Sequence, residues 1–271
     1  PTTLPSVGVP GCSQRHEHEV WATSFLRSLG VGGLGFHHLG RVPVDPAGSN
    51  CATLWVGTPS EWRSLVRVTI IGAGNMGRGI GTRAVAGGNE VELVDRNPED
   101  ARTLADELGS KATTSQAVSG ELVVFALPYG EVAKAVEEHR DALGGRVVVD
   151  ISNPVDFSTM DRVVTPGESS AAEETAKLVP AGTRVVKAFN TTFAKTLVEG
   201  VVAGQAVQVL IAGDDEDAKA TVAALVEGGG MRALDVGPLR RARMLEQVGL
   251  FHMAIQEQIG SGFASALTLY W

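Results

Sequence analysis

The segment Val68-Thr69-Ile70-Ile71 runs directly into Gly72-Ala73-Gly74-Asn75-Met76-Gly77, after which Ile80 and Ala84 continue at helical spacing. A β-branched run, a G-x-G-x-x-G and a helix, in that order, restrict this part of the chain to a strand, a very tight turn and a closely packed helix. Gly72 permits the turn, Gly74 lets an anionic group approach the backbone, and Gly77 lets the helix sit against the strand. The free amides of the helix start, around Asn75 and Met76, then face a diphosphate. A dinucleotide is the ligand this loop predicts.

The same rhythm continues down the chain. Short apolar runs at Glu90 to Val94, Glu121 to Leu127, Arg146 to Ile151, Arg184 to Ala188 and Val207 to Ala212 alternate with helical stretches. One helix is legible in detail: Asn97 caps it, Pro98 takes its first position, and Gly109 follows Leu108 to end it. Alternation of this kind predicts an α/β fold, a Rossmann-like doubly wound parallel sheet. After a final strand near Met231 to Asp235 enough chain remains for a helix or two, a small C-terminal helical lobe.

Strand ends nominate the ligand contacts, because in an open parallel sheet ligands lie beyond the carboxyl edge. The second strand ends in Asp95, at the spacing where an acid accepts hydrogen bonds from the adenosine ribose, which favours NAD. Arg96 follows, and a guanidinium there suits a 2′-phosphate and hence NADP. The two residues point to opposite cofactors. Asn97, Leu127, Pro128, Tyr129 and Asn153 complete the candidate nucleotide contacts, with Ser152 and Pro154 beside them toward the nicotinamide side.

Composition narrows the class. A formal net charge of −8 argues against a nucleic-acid-coating protein, since phosphate neutralisation needs a basic face. No uncharged stretch reaches the roughly 18 apolar residues of a membrane span, and no export signal is evident, so a cytoplasmic protein is expected. Residues 1–65 differ from the rest: they hold both cysteines, Cys12 and Cys51, and four of the six histidines, but no lysine. Their glycine and proline runs break every period, so they are read as an N-terminal extension without an assignable fold, compatible with disorder. No metal is expected there, because Cys-x-x-Cys is lacking and His16 and His18 would point to opposite sides of a strand. The functional domain is placed at 66–271, with the extension dispensable.

Taken with Val185-Val186-Lys187-Ala188-Phe189-Asn190-Thr191, Ala212-Gly213-Asp214-Asp215 and Gly237-Pro238-Leu239 through Arg243 to Glu246, these motifs resemble the NADPH-dependent coenzyme F420 reductases. Lys187 to Thr191 also resembles the reductase domain of the STEAP metalloreductases. The resemblance implies a Rossmann domain that binds NADP(H), with NAD(H) kept open by Asp95. It further implies a lobe covering a deazaflavin (coenzyme F420) or flavin, and direct hydride transfer between the two rings. Asn190, Thr191, Thr192, Pro238 and Leu239 join Ser152 and Pro154 as substrate-side candidates on that basis. No side chain is nominated as catalytic, since orientation and exclusion of water carry most of such a reaction. An acidic chain needs a local basic patch for the anionic acceptor, for which Arg240, Arg241, Arg243, Lys187 and Lys195 are the candidates.

Two alternatives stand beside this reading. Imine or 3-hydroxy-acid reductases share the nucleotide-binding start but build their substrate site from a long helical domain. A dinucleotide-binding sensor without turnover needs only the first half. The apolar run Val248 to Ile255 has helical spacing and is expected to pair subunits as a homodimer, with His252 satisfied within it.

Overall fold

The computed structural model describes residues 65–270, so all of the extension but Leu65 lies outside the described residues, and with it the metal reading of its cysteines and histidines. Strand β1 (Arg67–Ile71) leads through the glycine loop into helix α1 (Asn75–Ala86) and back to β2 (Glu90–Val94). Helix α2 (Pro98–Leu108) and the three-residue β3 (Ala112–Thr114) complete one half. The second half runs β4 (Leu122–Phe125), α3 (Tyr129–Leu143), β5 (Val147–Asp150), α4 (Ala171–Leu178), β6 (Arg184–Lys187). A short helix α5 (Ala194–Glu199) and a hairpin of β7 (Val201–Val202) and β8 (Gln205–Ala206) lead into β9 (Gln208–Gly213). Helix α6 (Glu216–Gly228), β10 (Arg232–Gly237), a 3-10 turn (Leu239–Arg241), α7 (Ala242–Ala254) and α8 (Gln256–Ile259) close the described chain.

The sheet order is β10-β9-β6-β5-β4-β1-β2-β3. Strand order reverses between β1 and β4, which opens a crevice at their carboxyl ends. Both faces of the sheet are covered, so its strands read as continuous apolar runs rather than alternating ones. Successive residues nevertheless serve opposite layers. Val68, Ile70, Leu122, Val124, Val147 and Val149 pack in one core, and Ile71, Val123, Phe125 and Val148 in the other.

The expected mostly parallel sheet is present, with one departure. β9 pairs with β6 antiparallel, Val186 opposite Gly213 and Lys187 opposite Ala212, and β10 follows β9 in parallel. The cause is the connection: a six-residue helix and a hairpin replace the long helical crossover that a parallel neighbour requires. In this register Gln208 to Ile211 run on past the end of β6, raising a wall beyond the carboxyl edge.

Candidate functional site

The three glycines meet three different requirements. Gly72 has φ +111°, and a Cβ on it would stand 2.5 Å from the Ala126 carbonyl oxygen. A Cβ on Gly77 would stand 2.0 Å from the Gly72 oxygen, so only glycine lets α1 rest on the turn. A Cβ on Gly74 would meet nothing within 4 Å. Gly74 is the N-cap of α1, no side chain caps the helix, and its first turn carries no acid. Open space therefore stands over unclaimed amides at the positive end of a helix dipole, the arrangement a diphosphate fits.

Beside the loop, a cleft of about 790 Å³ is lined by Gly72, Gly74, Asp95, Arg96, Asn97, Leu127 and Pro128 together with one side of α3. Asp95 is already engaged: one carboxylate oxygen accepts from the Ala73 amide at 2.7 Å and the other from the Asn97 amide at 2.9 Å. It braces the glycine loop against the start of α2, which Asn97 caps by accepting from the Glu99 amide at 3.2 Å. The Arg96 side chain is 82% exposed and pairs loosely with Glu131, at 3.6 Å. Across the cleft stand Glu131, Lys134, Glu138 and His139 of α3, which sequence reasoning missed. Their signal was available, as residues spaced three and four apart on a helix that begins directly after Pro128 share one face.

Five nucleotide candidates, Asn75, Met76, Gly77, Tyr129 and Asn153, lie outside this lining. The Met76 side chain is half-buried against the core. Tyr129 lies outside the cleft lining, and burial, with Glu174, Glu246 and Asp150 nearby, pushes its phenol above the ordinary value.

Beyond β5 and β6 the nominated side chains are largely turned inward. Asn153 Nδ2 donates to the Asn190 carbonyl at 2.8 Å, and Asn190 Nδ2 donates to Asn153 Oδ1 at 3.0 Å and to the Leu245 carbonyl at 2.9 Å. This double amide clasp presses on Gly249 of α7, where a Cβ would stand 2.7 Å from Asn153 Oδ1. Thr192 Oγ1 donates to the Phe189 carbonyl, and Phe189 itself holds φ +62°, a strained conformation for a non-glycine residue. Ser152 donates to Asp150, Thr191 is buried with its carbonyl facing His252 Nδ1, and Pro154 is buried. Pro238 is half-buried ahead of the 3-10 turn, while Leu239 belongs to the core, its amide bound to Asp214. Asn190 Oδ1 is buried and has no partner, an acceptor waiting for a donor.

The five cations of the predicted basic patch have different surroundings. Lys187 is fully buried, 3.1 Å from Asp150 Oδ1, 2.8 Å from Glu246 Oε1 and donating to the Ser152 carbonyl at 2.5 Å. Burial works against the charge on Asp150, but the Lys187 ammonium and the hydroxyls of Thr175 and Ser152 override it and hold the carboxyl below its ordinary range. Burial pushes Glu246 up. Arg243 forms a fork with Glu173, two contacts of 2.7 Å, and Arg241 bonds the Val236 carbonyl. Of the five cations, Arg240, Arg241 and Lys195 are exposed with no ion pair among the described residues. His252 is held from both ring nitrogens, by the Thr191 carbonyl and Ser265 Oγ, and burial pushes its pKa down.

Fold and glycine loop together define the dinucleotide-binding Rossmann class. Comparison with known proteins is more specific. The family described as NADP oxidoreductase, coenzyme F420-dependent, matches residues 67–154. The F420-dependent NADP reductase of Methanothermobacter thermautotrophicus is 30% identical over 201 residues, covering 68% of this chain and 86% of that protein. Metalloreductase STEAP3 of Rattus norvegicus is 36% identical over 184 residues, 68% of this chain, but the chain spans only 36% of that relative's length. A crystal structure from Arthrobacter sp. FB24, provisionally named an F420-dependent NADP reductase, superposes with a TM-score of 0.67 at 26% identity, over 76% of this chain and all of that one. The chain belongs to the coenzyme F420-dependent NADP oxidoreductase family, and it is an oxidoreductase. Among the described residues no helix is long and apolar enough to cross a membrane.

Proposed function

We propose that residues 66–271 transfer a hydride between NADP(H), with NAD(H) also accepted, and a deazaflavin (coenzyme F420) or flavin acceptor. The observation that carries this reading is the open space over Gly74 at an uncapped, acid-free helix start. NADP(H) is supported by relatives named as NADP reductases, and by Arg96, whose loose pairing with Glu131 leaves it free to turn onto a 2′-phosphate. The two amides that hold Asp95 temper the repulsion its carboxylate would otherwise exert. The orphaned Asn190 Oδ1 suits an N–H donor such as a carboxamide.

A nicotinamide held by the glycine loop and the strand ends would supply the hydride for the acceptor ring, with the balancing proton coming from solvent. The chain's part is orientation. The amide clasp of Asn153 and Asn190 fixes the ends of β5 and β6, the Lys187 cluster anchors the clasp from below, and α7 closes over both. His252 has no part in proton transfer, because both ring nitrogens are engaged and burial keeps it neutral.

The test is an anaerobic panel in which NADPH and NADH are each mixed with coenzyme F420 and FMN. Bleaching of the deazaflavin or flavin absorbance is expected, faster with NADPH; tight nucleotide binding without bleaching of either ring would show a sensor instead. We further propose a homodimer through α7 and α8, whose Met244, Phe251 and Ile259 are 67%, 58% and 51% exposed on one apolar stripe completed by Val248 and Ile255.

A further inference from the structure

The cleft beside the glycine loop has two charged walls. One is the end of β2, where Asp95, Arg96 and Asn97 lead into α2. The other is the face of α3 that carries Glu131, Lys134, Glu138 and His139. Arg96 and Glu131 join the two walls, with Nη1 and Oε2 3.6 Å apart. The pattern of the sequence gives Arg96 a role in binding and passes over its partner.

What this pair can do follows from its strength. The two side chains are 82% and 46% exposed, and their separation exceeds that of a hydrogen bond. Such a pair holds weakly, because water screens it and two long side chains must be kept in one geometry. It biases where the guanidinium lies without fixing it. Arginines on the neighbouring helices are more firmly committed. Arg78 of α1 makes two hydrogen bonds to Glu107, of 2.8 and 3.2 Å, and Arg102 of α2 bonds Glu99 at 2.7 Å. Of these three, Arg96 is the most easily turned to a new partner.

The competing anions around it are not equivalent. Asp95 is occupied by the amides of Ala73 and Asn97, whereas Glu131 spends its charge on Arg96. A dinucleotide whose adenosine half enters this cleft sets its ribose against the end of β2. A 2′-phosphate on that ribose matches a guanidinium in charge and in fork geometry, so Arg96 exchanges Glu131 for it. A 2′-hydroxyl offers no comparable return, and NAD leaves the pair as it stands.

We infer that Glu131 sets cofactor specificity: it holds Arg96 across the mouth of the adenosine cleft and competes with a 2′-phosphate for the guanidinium, which restrains the preference for NADP over NAD. This rests on the reading of the chain as a nicotinamide-nucleotide reductase, and adds to Asp95 a second acid, on α3, that works against NADP. The test measures the dissociation constants of NADP+ and NAD+ for the full chain by calorimetry, so it does not depend on turnover. Glu131→Gln keeps the size of the side chain and removes its charge. It is expected to tighten NADP+ binding about threefold and to change NAD+ binding by less than about 1.5-fold. In an Arg96→Ala background the same substitution is expected to change NADP+ binding by less than about 1.5-fold, since the coupling runs through the guanidinium. An unaltered NADP+ constant in Glu131→Gln, equal tightening of both nucleotides, or a gain that survives in Arg96→Ala would overturn the proposal. Failure of the parent reading looks different: both nucleotides bind and respond to Glu131→Gln as described, yet neither reduced form bleaches a deazaflavin or flavin.

Discussion

A methyl group on Gly74 would point into open space, and one on Gly77 would strike the backbone oxygen of Gly72, so two alanine substitutions three residues apart separate ligand binding from folding. Gly77→Ala is expected to cost about 3 kcal/mol or more of stability, read as a fall in Tm. Gly74→Ala is expected to melt within a few degrees of wild type yet bind reduced nicotinamide nucleotide about tenfold more weakly, a loss of about 1.4 kcal/mol. Equal nucleotide affinity in Gly74→Ala would remove the diphosphate from that position. Asp95 is the second residue that decides something. Asp95→Ser keeps a hydroxyl for the Asn97 amide but cannot reach Ala73, so affinity for both nucleotides should fall while the NADP to NAD ratio of kcat/KM rises about tenfold. A constant ratio would show that Asp95 acts only as a brace. The glycines were legible in the sequence because backbone constraint is written in residue type. The Asp95 to Ala73 bond was not, because it joins positions 22 residues apart whose approach is set by the folded loop.

At the scale of elements, β2 and the capped α2 stand where their apolar runs and cap residues place them. The reversal of β9 was hidden, since an apolar run reads the same in either direction. Inward orientation of Asn190, Ser152 and Lys187 was hidden for a related reason: α7, which brings Glu246 and Gly249 over them, arrives more than fifty residues later. The docking of α7 also sets a pH dependence. Burial lowers the pKa of His252 in the folded chain, so the unfolded chain takes up a proton more readily as pH falls. The stabilisation is therefore fully present above the unfolded value of about 6.5 and is lost as pH falls through the lower folded value. Chemical denaturation from pH 7.5 to 5 should show this decline, and His252→Gln should flatten it. An equal slope in the variant would assign the decline to other groups.

At the scale of the whole molecule, Met244, Phe251 and Ile259 place an exposed apolar stripe along α7 and α8. Phe251→Glu is expected to convert a dimer to a monomer by light scattering without lowering nucleotide affinity, and a wild type already monomeric at high concentration would remove the dimer. The binding roles given to the glycine loop, Arg96 and Asn190 all require a dinucleotide laid across the start of α1. Hydrogen exchange read residue by residue, with and without saturating NADPH, tests that most directly. The amides from Ala73 to Gly77 should exchange more slowly when the nucleotide is bound, together with those around Asn97. Bound nucleotide that leaves the exchange of Ala73 to Gly77 unaltered would contradict it.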